Sequence, residues 1–193
     1  MLSYLVGSIP LSVWLGRIFR GIDLRDYGSK GTGATNTFRV LGTEIGVLVL
    51  IFDIIKGICL PLLLSFFNFK FTKIEILLMG IYAVLGHVYP LFSGLKGGKG
   101  VATVFGLIGI LYPIAALLSL TTFLIVLFRT KYVSLSSIIA SFFVPLSFSL
   151  FYSPFSLIEI YFAISVPLMV TFTHRKNILR LLRKDEPKIR LEK

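Results

Sequence analysis

Long apolar stretches separated by short basic loops dominate this sequence and restrict the folds it can adopt. Hydrophobic residues make up 55% of the 193 residues, and the mean hydropathy is +0.89. A soluble domain of this length could not bury so much apolar surface. In lipid, a bundle of helices is the open-ended architecture that satisfies its own backbone hydrogen bonds. The sequence therefore predicts an all-α, polytopic integral membrane protein.

Five apolar stretches have roughly the 20 residues that one helical crossing of a membrane needs. They cover about 2–19, 44–67, 74–93, 133–152 and 156–173. A further stretch, 101–128, is long for one crossing, and Tyr112-Pro113 falls near its middle. Proline removes a helix donor and disfavours helix in the residue before it. This stretch is therefore either one kinked helix or two short crossings.

The distribution of lysine and arginine decides between these two possibilities, because basic residues concentrate in cytoplasmic loops. The loop after the first stretch is basic and is assigned to the inside, which places the N-terminus outside. With a single crossing at 101–128, the basic tail that begins at Arg175 would lie outside. Dividing the stretch at Tyr112-Pro113 places this tail inside. We therefore expect about seven transmembrane helices, with the N-terminus outside and the C-terminus cytoplasmic, in a single transmembrane helical domain covering 1–193.

The composition also argues against several kinds of segment and site. Residues 2–19 have no basic residue at their start and no small-residue cleavage site, so we expect a span rather than a signal peptide. Cys59 is the one cysteine, and no Cys/His cluster has metal-ligand spacing, so we expect no disulfide, no metal and no cofactor. The net charge of +11 comes from basic residues flanking apolar stretches, which favours anionic lipid over nucleic acid. Residues 175–193 suit a basic interfacial tail.

Three polar stretches rich in glycine and basic residues interrupt the apolar chain. They are residues 28–36, 96–100 and 174–177. Glycine lets backbone N–H groups face an anion, while lysine and arginine supply positive charge. The predicted topology places all three stretches at the cytoplasmic face, so we expect a phosphate-binding site there.

Each stretch also has an ordinary structural explanation. Residues 28–36 suit an anion-binding turn that ends on a helix N-terminus, or equally a flexible turn, and they lack the Gly-Lys-Ser/Thr of a P-loop. Residues 96–100 could be a cytoplasmic stop signal, although three glycines are superfluous to that role and weaken any helix. In the third stretch, His174 and Asn177 share a helix face, whereas the basic residues from Arg180 onward suit an interfacial anchor.

Two further polar features lie in or beside the apolar spans. His87 lies near the end of a span that is broken at Pro90, and it is either a site residue or a hydrogen-bonded packing residue. Asp53 and Lys56 are three residues apart in the second span, where each can neutralise the other across one helical turn. We expect this pair to be structural rather than a contact to substrate.

Together, these residues resemble the PlsY glycerol-3-phosphate acyltransferases of bacterial membranes, over nearly the whole chain. The residues that match are Gly28-Ser29 with Gly33-Ala34-Thr35-Asn36 and Arg39, Gly86-His87 with Pro90 and Lys96-Gly97-Gly98-Lys99-Gly100-Val101-Ala102-Thr103, and Thr173-His174-Arg175 with Asn177-Ile178 and Arg180-Leu181. The chain departs from the family at Lys30-Gly31-Thr32, where Gly-Asn-Ile is usual, and at Lys184-Asp185-Glu186, where Gly-x-Glu is usual. The second departure leaves the match of Glu186 to the family's tail glutamate open.

The resemblance implies transfer of a fatty acyl group from acyl phosphate to the sn-1 hydroxyl of glycerol 3-phosphate. The products would be lysophosphatidic acid and inorganic phosphate, in the first step of phospholipid synthesis. It also implies a protein of the bacterial inner (plasma) membrane, whose partners are the two substrates and membrane lipids. We expect it to be a monomer. The histidine–aspartate pair of soluble-donor acyltransferases is absent, since Phe92 stands five residues after His87 and Leu179 five after His174.

Without that base, positioning and charge neutralisation can supply much of the rate, because acyl phosphate is an activated donor. The residues expected to orient the acceptor and the developing oxyanion are Ser29, Thr35, Asn36, His174 and Asn177. The residues expected to bind substrate phosphate are Arg39, Lys96, Gly97, Gly98, Lys99, Gly100, Ser136 and His87. The acceptor's own phosphate is expected to take up the proton of the attacking hydroxyl.

A small membrane transporter of a phosphorylated metabolite is the main alternative, since it would also carry basic residues near a bundle mouth. Transporters commonly have repeat symmetry and midplane sites, whereas no repeat is evident here. A lipid-headgroup transferase with a nucleotide-linked donor would present an aspartate cluster for a divalent metal. Asp23 and Asp26 are too few and too poorly placed for such a cluster.

Overall fold

The computed structural model describes residues 1–152, 154 and 156–189, and these residues form α-helices and short 3-10 turns without any β-strand. The predicted all-α class is confirmed. The chain divides into two compact units, Met1–Leu111 and Tyr112–Lys193. The expectation of a single transmembrane domain over 1–193 stays a prediction.

The first unit carries the polar stretches 28–36 and 96–100, here called the first and the second glycine-rich loop. Its α-helices are α1 (Leu2–Gly7), α2 (Leu11–Arg20), α3 (Ala34–Leu41), α4 (Thr43–Ile55), α5 (Cys59–Ser65), α6 (Lys73–Val88) and α7 (Val101–Leu111). Short 3-10 turns at Leu24–Asp26 and Leu91–Ser93 precede the two loops.

Local sequence signals explain where several of these helices begin and end. Helix α2 follows Pro10 and ends at Gly21, whose left-handed backbone (φ 64°) stops the helix. Helix α6 begins with a capping box, in which the Thr72 hydroxyl accepts the Glu75 N–H and the Glu75 carboxylate accepts the Thr72 N–H. Helix α3 begins directly after Gly33, so the first glycine-rich loop leads into a helix N-terminus, as the sequence predicts.

Two glycines let helices of the first unit pack at backbone distance. A Cβ atom at Gly86 of α6 would collide with the Tyr4 carbonyl of α1, and one at Gly106 of α7 would collide with the Ile54 carbonyl of α4. Small residues at such contacts are typical of helix packing in membranes. They hold α6 and α7, which flank the second glycine-rich loop, against their neighbours.

The second unit begins at Tyr112. Its α-helices are α8 (Pro113–Thr130), α9 (Val133–Ser141), α10 (Phe143–Phe151), α11 (Leu157–Thr173) and α12 (Arg175–Leu182). Pro113 is the first residue of α8, so the helix break that the sequence predicts at Tyr112-Pro113 is confirmed. Tyr112 is buried in this unit, where its hydroxyl donates to Glu159 Oε1 at 2.8 Å and its ring packs against Phe148.

The helices that are long and apolar enough to cross a membrane agree with the predicted stretches. In the described part of the chain they are Leu2–Arg20, Lys73–Ser93, Pro113–Thr130 and Val133–Phe151. Two bent pairs raise the total to six if each is one span, and they are Thr43–Ile55 with Cys59–Ser65 (65°) and Leu157–Thr173 with Arg175–Leu182 (59°). Helix α7 is shorter, at about 16 Å against a hydrocarbon core of about 30 Å. A count of seven crossings and the direction of the termini stay predictions.

Candidate active site

The side chain of Asn36, in the first turn of α3, organises the first glycine-rich loop. Its Oδ1 accepts the Ser29 N–H at 2.8 Å. Its Nδ2 lies 2.9–3.1 Å from three backbone carbonyls, those of Leu24, Tyr27 and Gly31. Only 2% of the residue is exposed. The loop is therefore a defined turn around the amide of Asn36. The expected role of Asn36 in orienting the acceptor stays a prediction.

Three other predicted site residues lie partly exposed beside this turn. Ser29 belongs to the turn, and Thr35 and Arg39 lie four residues apart on α3, which places them on one face of the helix. The Ser12 hydroxyl of α2 donates to the Thr32 carbonyl and anchors the loop to the preceding helix. The three residues are thus grouped on the turn and on α3, and the positive end of the dipole of this helix favours an anion at its start.

Arg25 connects the first glycine-rich loop to the segment before the second. Its guanidinium donates to the two carboxylate oxygens of Asp23, at 2.8 and 2.6 Å, and to the Ser93 carbonyl at 3.0 Å. Hydrogen bonds from Arg25, with a further one from Arg17, hold the pKa of Asp23 well below its ordinary value, against the opposing effect of burial. The hydrogen bond from Arg25, whose side chain is held by Asp23, therefore links the two loop regions.

The second glycine-rich loop lies directly on His87. The Gly98 N–H donates to the His87 carbonyl at 3.1 Å. A Cβ atom at Gly98 would collide with the His87 imidazole, and one at Gly97 would collide with the His87 carbonyl. Gly98 therefore shapes the loop through this contact to His87. Its expected contact to phosphate stays a prediction. The loop also contains Lys96, Lys99 and Gly100.

A buried ion pair lies next to His87. Asp53 Oδ1 and Lys56 Nζ are 2.8 Å apart, and 5% and 4% of their side chains are exposed. The predicted ion pair between these two residues is confirmed, and its structural role stays a prediction. Asp53 Oδ1 also lies 3.5 Å from His87 Nδ1. His87 is buried between this carboxylate and the second glycine-rich loop, so it supports the loop. Its expected contact to substrate phosphate stays a prediction.

In the second unit, His174 lies at the bend between α11 and α12. The residue is buried, and its Nδ1–H donates to the Val170 carbonyl at 2.8 Å, since a carbonyl can only accept. This bond fixes the orientation of the ring and places a proton on Nδ1. Asn177 lies in the first turn of α12, and its N–H donates to the His174 carbonyl at 2.8 Å. His174 and Asn177, which are predicted to share a helix face, therefore lie within one helical turn.

Glu186, in the described part of the tail, is held by three side chains. Its Oε1 accepts from Ser134 Oγ at 2.8 Å and from Asn177 Nδ2 at 2.6 Å, and its Oε2 accepts from Arg180 Nε at 2.7 Å. Burial opposes ionisation of Glu186, but these hydrogen bonds outweigh it and lower the pKa of the carboxyl. The carboxylate thus orients the amide of Asn177.

The sequence does not identify Arg25 or Ser134 as residues of the site, and it leaves open whether Glu186 matches the family's tail glutamate. Two signals are present in the sequence. Asp23 and Arg25 are oppositely charged neighbours just before a glycine-rich loop, and Glu186 is an acidic residue in a basic tail. Neither signal names the partner, because Arg25 and Ser93 are 68 residues apart and Ser134 and Glu186 are 52 apart.

Each unit gathers its own share of the predicted residues. The first unit groups Ser29, Thr35, Asn36 and Arg39 at the first loop and Lys96, Gly97, Gly98, Lys99 and Gly100 on His87. The second unit holds His174 and Asn177 at one bend and Ser136 in α9, where its hydroxyl donates to the Tyr132 carbonyl at 2.8 Å. Over the described residues, no group of three or more His, Cys, Asp or Glu side chains could hold a metal ion. That the site works without a cofactor stays a prediction.

Comparison with known proteins gives matches along nearly the whole chain. A family model described as glycerol-3-phosphate acyltransferase matches residues 1–184. The glycerol-3-phosphate acyltransferase of Fusobacterium nucleatum subsp. nucleatum is 43% identical over 192 residues, which cover 98% of this chain and 96% of that protein. The glycerol-3-phosphate acyltransferase of Bacillus subtilis is 40% identical over 196 residues, which cover 98% and 95%.

Solved structures of an integral membrane glycerol 3-phosphate acyltransferase, PlsY, have a similar fold. Its glycerol 3-phosphate form has a TM-score of 0.85 and 37% identity, and the match covers 98% of this chain and 92% of that one. Its lysophosphatidic acid form has a TM-score of 0.82 and 36% identity, and the match covers 97% and 92%. Sequence and structure thus agree over nearly the full length of the chain with what the motif residues indicate. The chain belongs to the glycerol-3-phosphate acyltransferase family.

Proposed function

We propose that this membrane protein transfers a fatty acyl group from acyl phosphate to the sn-1 hydroxyl of glycerol 3-phosphate, giving lysophosphatidic acid and inorganic phosphate. The observation that carries the proposal is the second glycine-rich loop, which rests on His87 and carries two lysines. Both substrates contain phosphate, and such a loop offers N–H groups and positive charge to one. The similar solved structures, in forms with glycerol 3-phosphate and lysophosphatidic acid, support the acceptor and the product.

In the proposed reaction, the acceptor hydroxyl oxygen attacks the acyl carbon of the donor. A carbon–oxygen ester bond forms, the bond between the acyl carbon and the phosphate oxygen breaks, and inorganic phosphate leaves. The hydroxyl proton passes to the acceptor's own phosphate group, so the protein does not have to supply a general base. Because the donor is a mixed anhydride with a good leaving group, positioning and charge neutralisation supply much of the rate.

Phosphate binding is assigned to the second glycine-rich loop together with one arginine of α3. The N–H groups of Gly97 and Gly100 and the ammonium groups of Lys96 and Lys99 supply donors and charge. Arg39 adds a guanidinium, whose planar fork suits two phosphate oxygens. Gly98 and His87 hold the loop in the conformation that binding requires.

The acceptor and the developing oxyanion are oriented by side chains from both polar ends of the chain. In this proposal Ser29 and Thr35 act from the first glycine-rich loop, and Ser136, His174 and Asn177 act from the second unit. The hydrogen bonds to Val170 and Glu186 support these roles, because they fix the imidazole of His174 and the amide of Asn177. Asn36 acts on the site through the backbone of Ser29.

We further propose about seven crossings in a single transmembrane domain over 1–193. The N-terminus then lies outside the bacterial inner membrane, and the C-terminus and the active site face the cytoplasm, with 175–193 as an interfacial tail. The helix break at Tyr112-Pro113 and the basic character of the loops support this arrangement. The protein acts as a monomer in this proposal.

The test is acyl transfer by the purified protein in detergent or lipid mesophase. Palmitoyl phosphate or palmitoyl-CoA is supplied with labelled glycerol 3-phosphate and excess chelator, and the position of the new ester is determined by NMR. We expect labelled 1-acyl product from palmitoyl phosphate. Product from the thioester alone would refute the proposed donor, and no product from either would refute acyl transfer as the function.

The substrate-assisted proton transfer has its own test. Glycerol, which lacks the phosphate group, should fail to turn over even at saturation, because it lacks the proposed proton acceptor as well as the binding group. The maximal rate with glycerol is compared with that for glycerol 3-phosphate on the same preparation. A normal maximal rate with glycerol would refute the proton transfer while leaving acyl transfer intact.

A further inference from the structure

A buried charge cluster beside the second glycine-rich loop has no part in the catalytic roles above. Asp53 lies in α4, and its Oδ1 is 2.8 Å from Nζ of Lys56, the residue one helical turn further along the chain. The same Oδ1 lies 3.5 Å from His87 Nδ1 of α6. All three residues are buried, with exposed fractions of 3%, 4% and 6%. One carboxylate therefore faces two groups that can carry positive charge.

Stability alone gives no reason to keep such a cluster inside a membrane protein. Each buried ion loses several kcal/mol of hydration, and replacing a buried ion pair by apolar side chains of similar volume is often neutral or stabilising. The contact that an apolar pair could not reproduce is the one to His87. In the described residues, His87 Nδ1 has no hydrogen bond of normal length, so the nearby carboxylate of Asp53 is what orients the imidazole.

The second glycine-rich loop packs directly on His87, so the position of this residue affects the loop. Its carbonyl accepts the Gly98 N–H at 3.1 Å, and its imidazole lies where a Cβ atom of Gly98 would stand. The carbonyl also lies against Gly97. The turn thus rests on both the backbone and the ring of one residue. Because the His87 imidazole and the turn are in direct contact, a change in the orientation of this ring must displace the turn.

The other end of the loop is supported by the same part of the chain. Helix α7 follows the loop, and a Cβ atom at Gly106 would collide with the Ile54 carbonyl. A Cβ atom at Gly57 would likewise collide with the Thr103 carbonyl in the first turn of α7. Residues 53–57 therefore support the loop from both sides, through His87 before it and through α7 after it.

We propose that Asp53, held in place by Lys56, orients the His87 imidazole and thereby keeps the turn at Gly97 and Gly98 in the shape that binds phosphate. Asp53 and Lys56 are positioning residues in this role, since they act through His87 and do not touch substrate. The inference rests on the proposed function, which assigns the phosphate group of a substrate to this loop. Its consequence is that the buried ion pair supports substrate affinity more than it supports stability.

The test replaces the ion pair by apolar residues of similar volume, Asp53→Leu with Lys56→Met, in the full-length protein. The matched control is Glu75→Gln, which weakens the capping box at the opposite end of α6 and leaves His87 and its neighbours unchanged. We expect the KM for one of the two phosphate-bearing substrates to rise about tenfold, and kcat to change by less than about twofold. Inorganic phosphate should raise the Tm of the wild-type protein and of the control, but not that of the double variant.

Each outcome decides the proposal. A higher KM together with a lost phosphate-induced Tm shift supports it. Unchanged KM values, or a lower kcat with an unchanged KM and an unchanged phosphate shift, overturn it. If the double variant does not fold, Asp53→Val with Lys56→Leu, which also removes the oxygen beside His87, is measured and interpreted in the same way. The Tm shift needs no turnover, so it still decides the inference if wild-type protein shows no acyl transfer and the proposed function fails.

Discussion

Asn36 holds the first glycine-rich loop together with a single side chain. It combines one acceptor and two donors in one planar group, and all of them are used on the backbone around it. Aspartate at this position could accept from Ser29 but would set negative oxygens against the carbonyls of the loop. Asn36 and His87 thus contact the backbone of the two glycine-rich loops, whereas Ser29 and Lys99 are proposed to contact substrate.

Gly98 is a second residue whose role depends on backbone contact. Gly98→Ala places a Cβ atom on the His87 imidazole, so we expect the KM for a phosphate-bearing substrate to rise about tenfold or more. Gly109→Ala in α7 is the matched control, because a Cβ atom there meets nothing within 4 Å and alanine favours the helix. Steady-state kinetics with each substrate measure the change. Equal KM values in the two variants would contradict the steric argument.

At the scale of elements, Arg25, which is held by Asp23, joins two loops that are far apart in sequence. Arg25→Met removes the bond to the Ser93 carbonyl, so hydrogen–deuterium exchange of residues 91–100 should become faster. Arg17→Met is the control, because Arg17 also contacts Asp23, at 3.0 Å, but with a side chain that is 60% exposed. The same exchange rates in both variants would mean that the hydrogen bond from Arg25 does not hold the second loop.

The tail after α12 depends on the ionised form of Glu186. Its pKa is lowered in the folded protein, so its contribution to stability is fully present above the ordinary value of 4.5 and is lost as pH falls through the folded value. Glu186→Gln should lower the Tm at neutral pH, by about 2–4 °C for each kcal/mol lost, and the difference from wild type should shrink in acid. Thermal unfolding from about pH 3 to pH 7 measures this dependence.

The control for that experiment is Asp185→Asn, which removes the neighbouring carboxyl, an exposed group. It should leave the Tm at neutral pH close to that of the wild-type protein. A Tm difference for Glu186→Gln that stays constant into acid would show that the amide replaces the carboxylate in all three hydrogen bonds, and that the charge contributes little.

At the scale of the whole molecule, the number of crossings decides which side of the membrane each polar stretch faces. Single cysteines at Asp26, Lys70 and Arg183, in a Cys59→Ala background, can be labelled with a membrane-impermeant maleimide in right-side-out and inverted vesicles. We expect Asp26 and Arg183 to react from the cytoplasmic side and Lys70 from the other, in agreement with the positive-inside rule. Arg183 and Lys70 on one side would mean that α7 and α8 cross the membrane once between them.

The sequence by itself determined the helical class, the approximate positions of the spans and the break at Tyr112-Pro113. Hydropathy and the missing donor of proline act within one segment of chain, so they can be read without knowing what the segment packs against. The same holds for the ion pair of Asp53 and Lys56, which needs only the spacing of one helical turn. The motif residues of the three polar stretches also identified the family.

Only the tertiary structure decided which polar groups face each other. Asn36 Nδ2 lies within 3.1 Å of three carbonyls whose direction is set by a loop. Arg25 reaches a carbonyl 68 residues away, and Glu186 takes its partners from two helices. The support of Gly98 by His87 depends on how α6 ends and where α7 begins. These partners are chosen by packing between distant segments, because a buried polar group must pair with whatever the fold brings within about 3 Å.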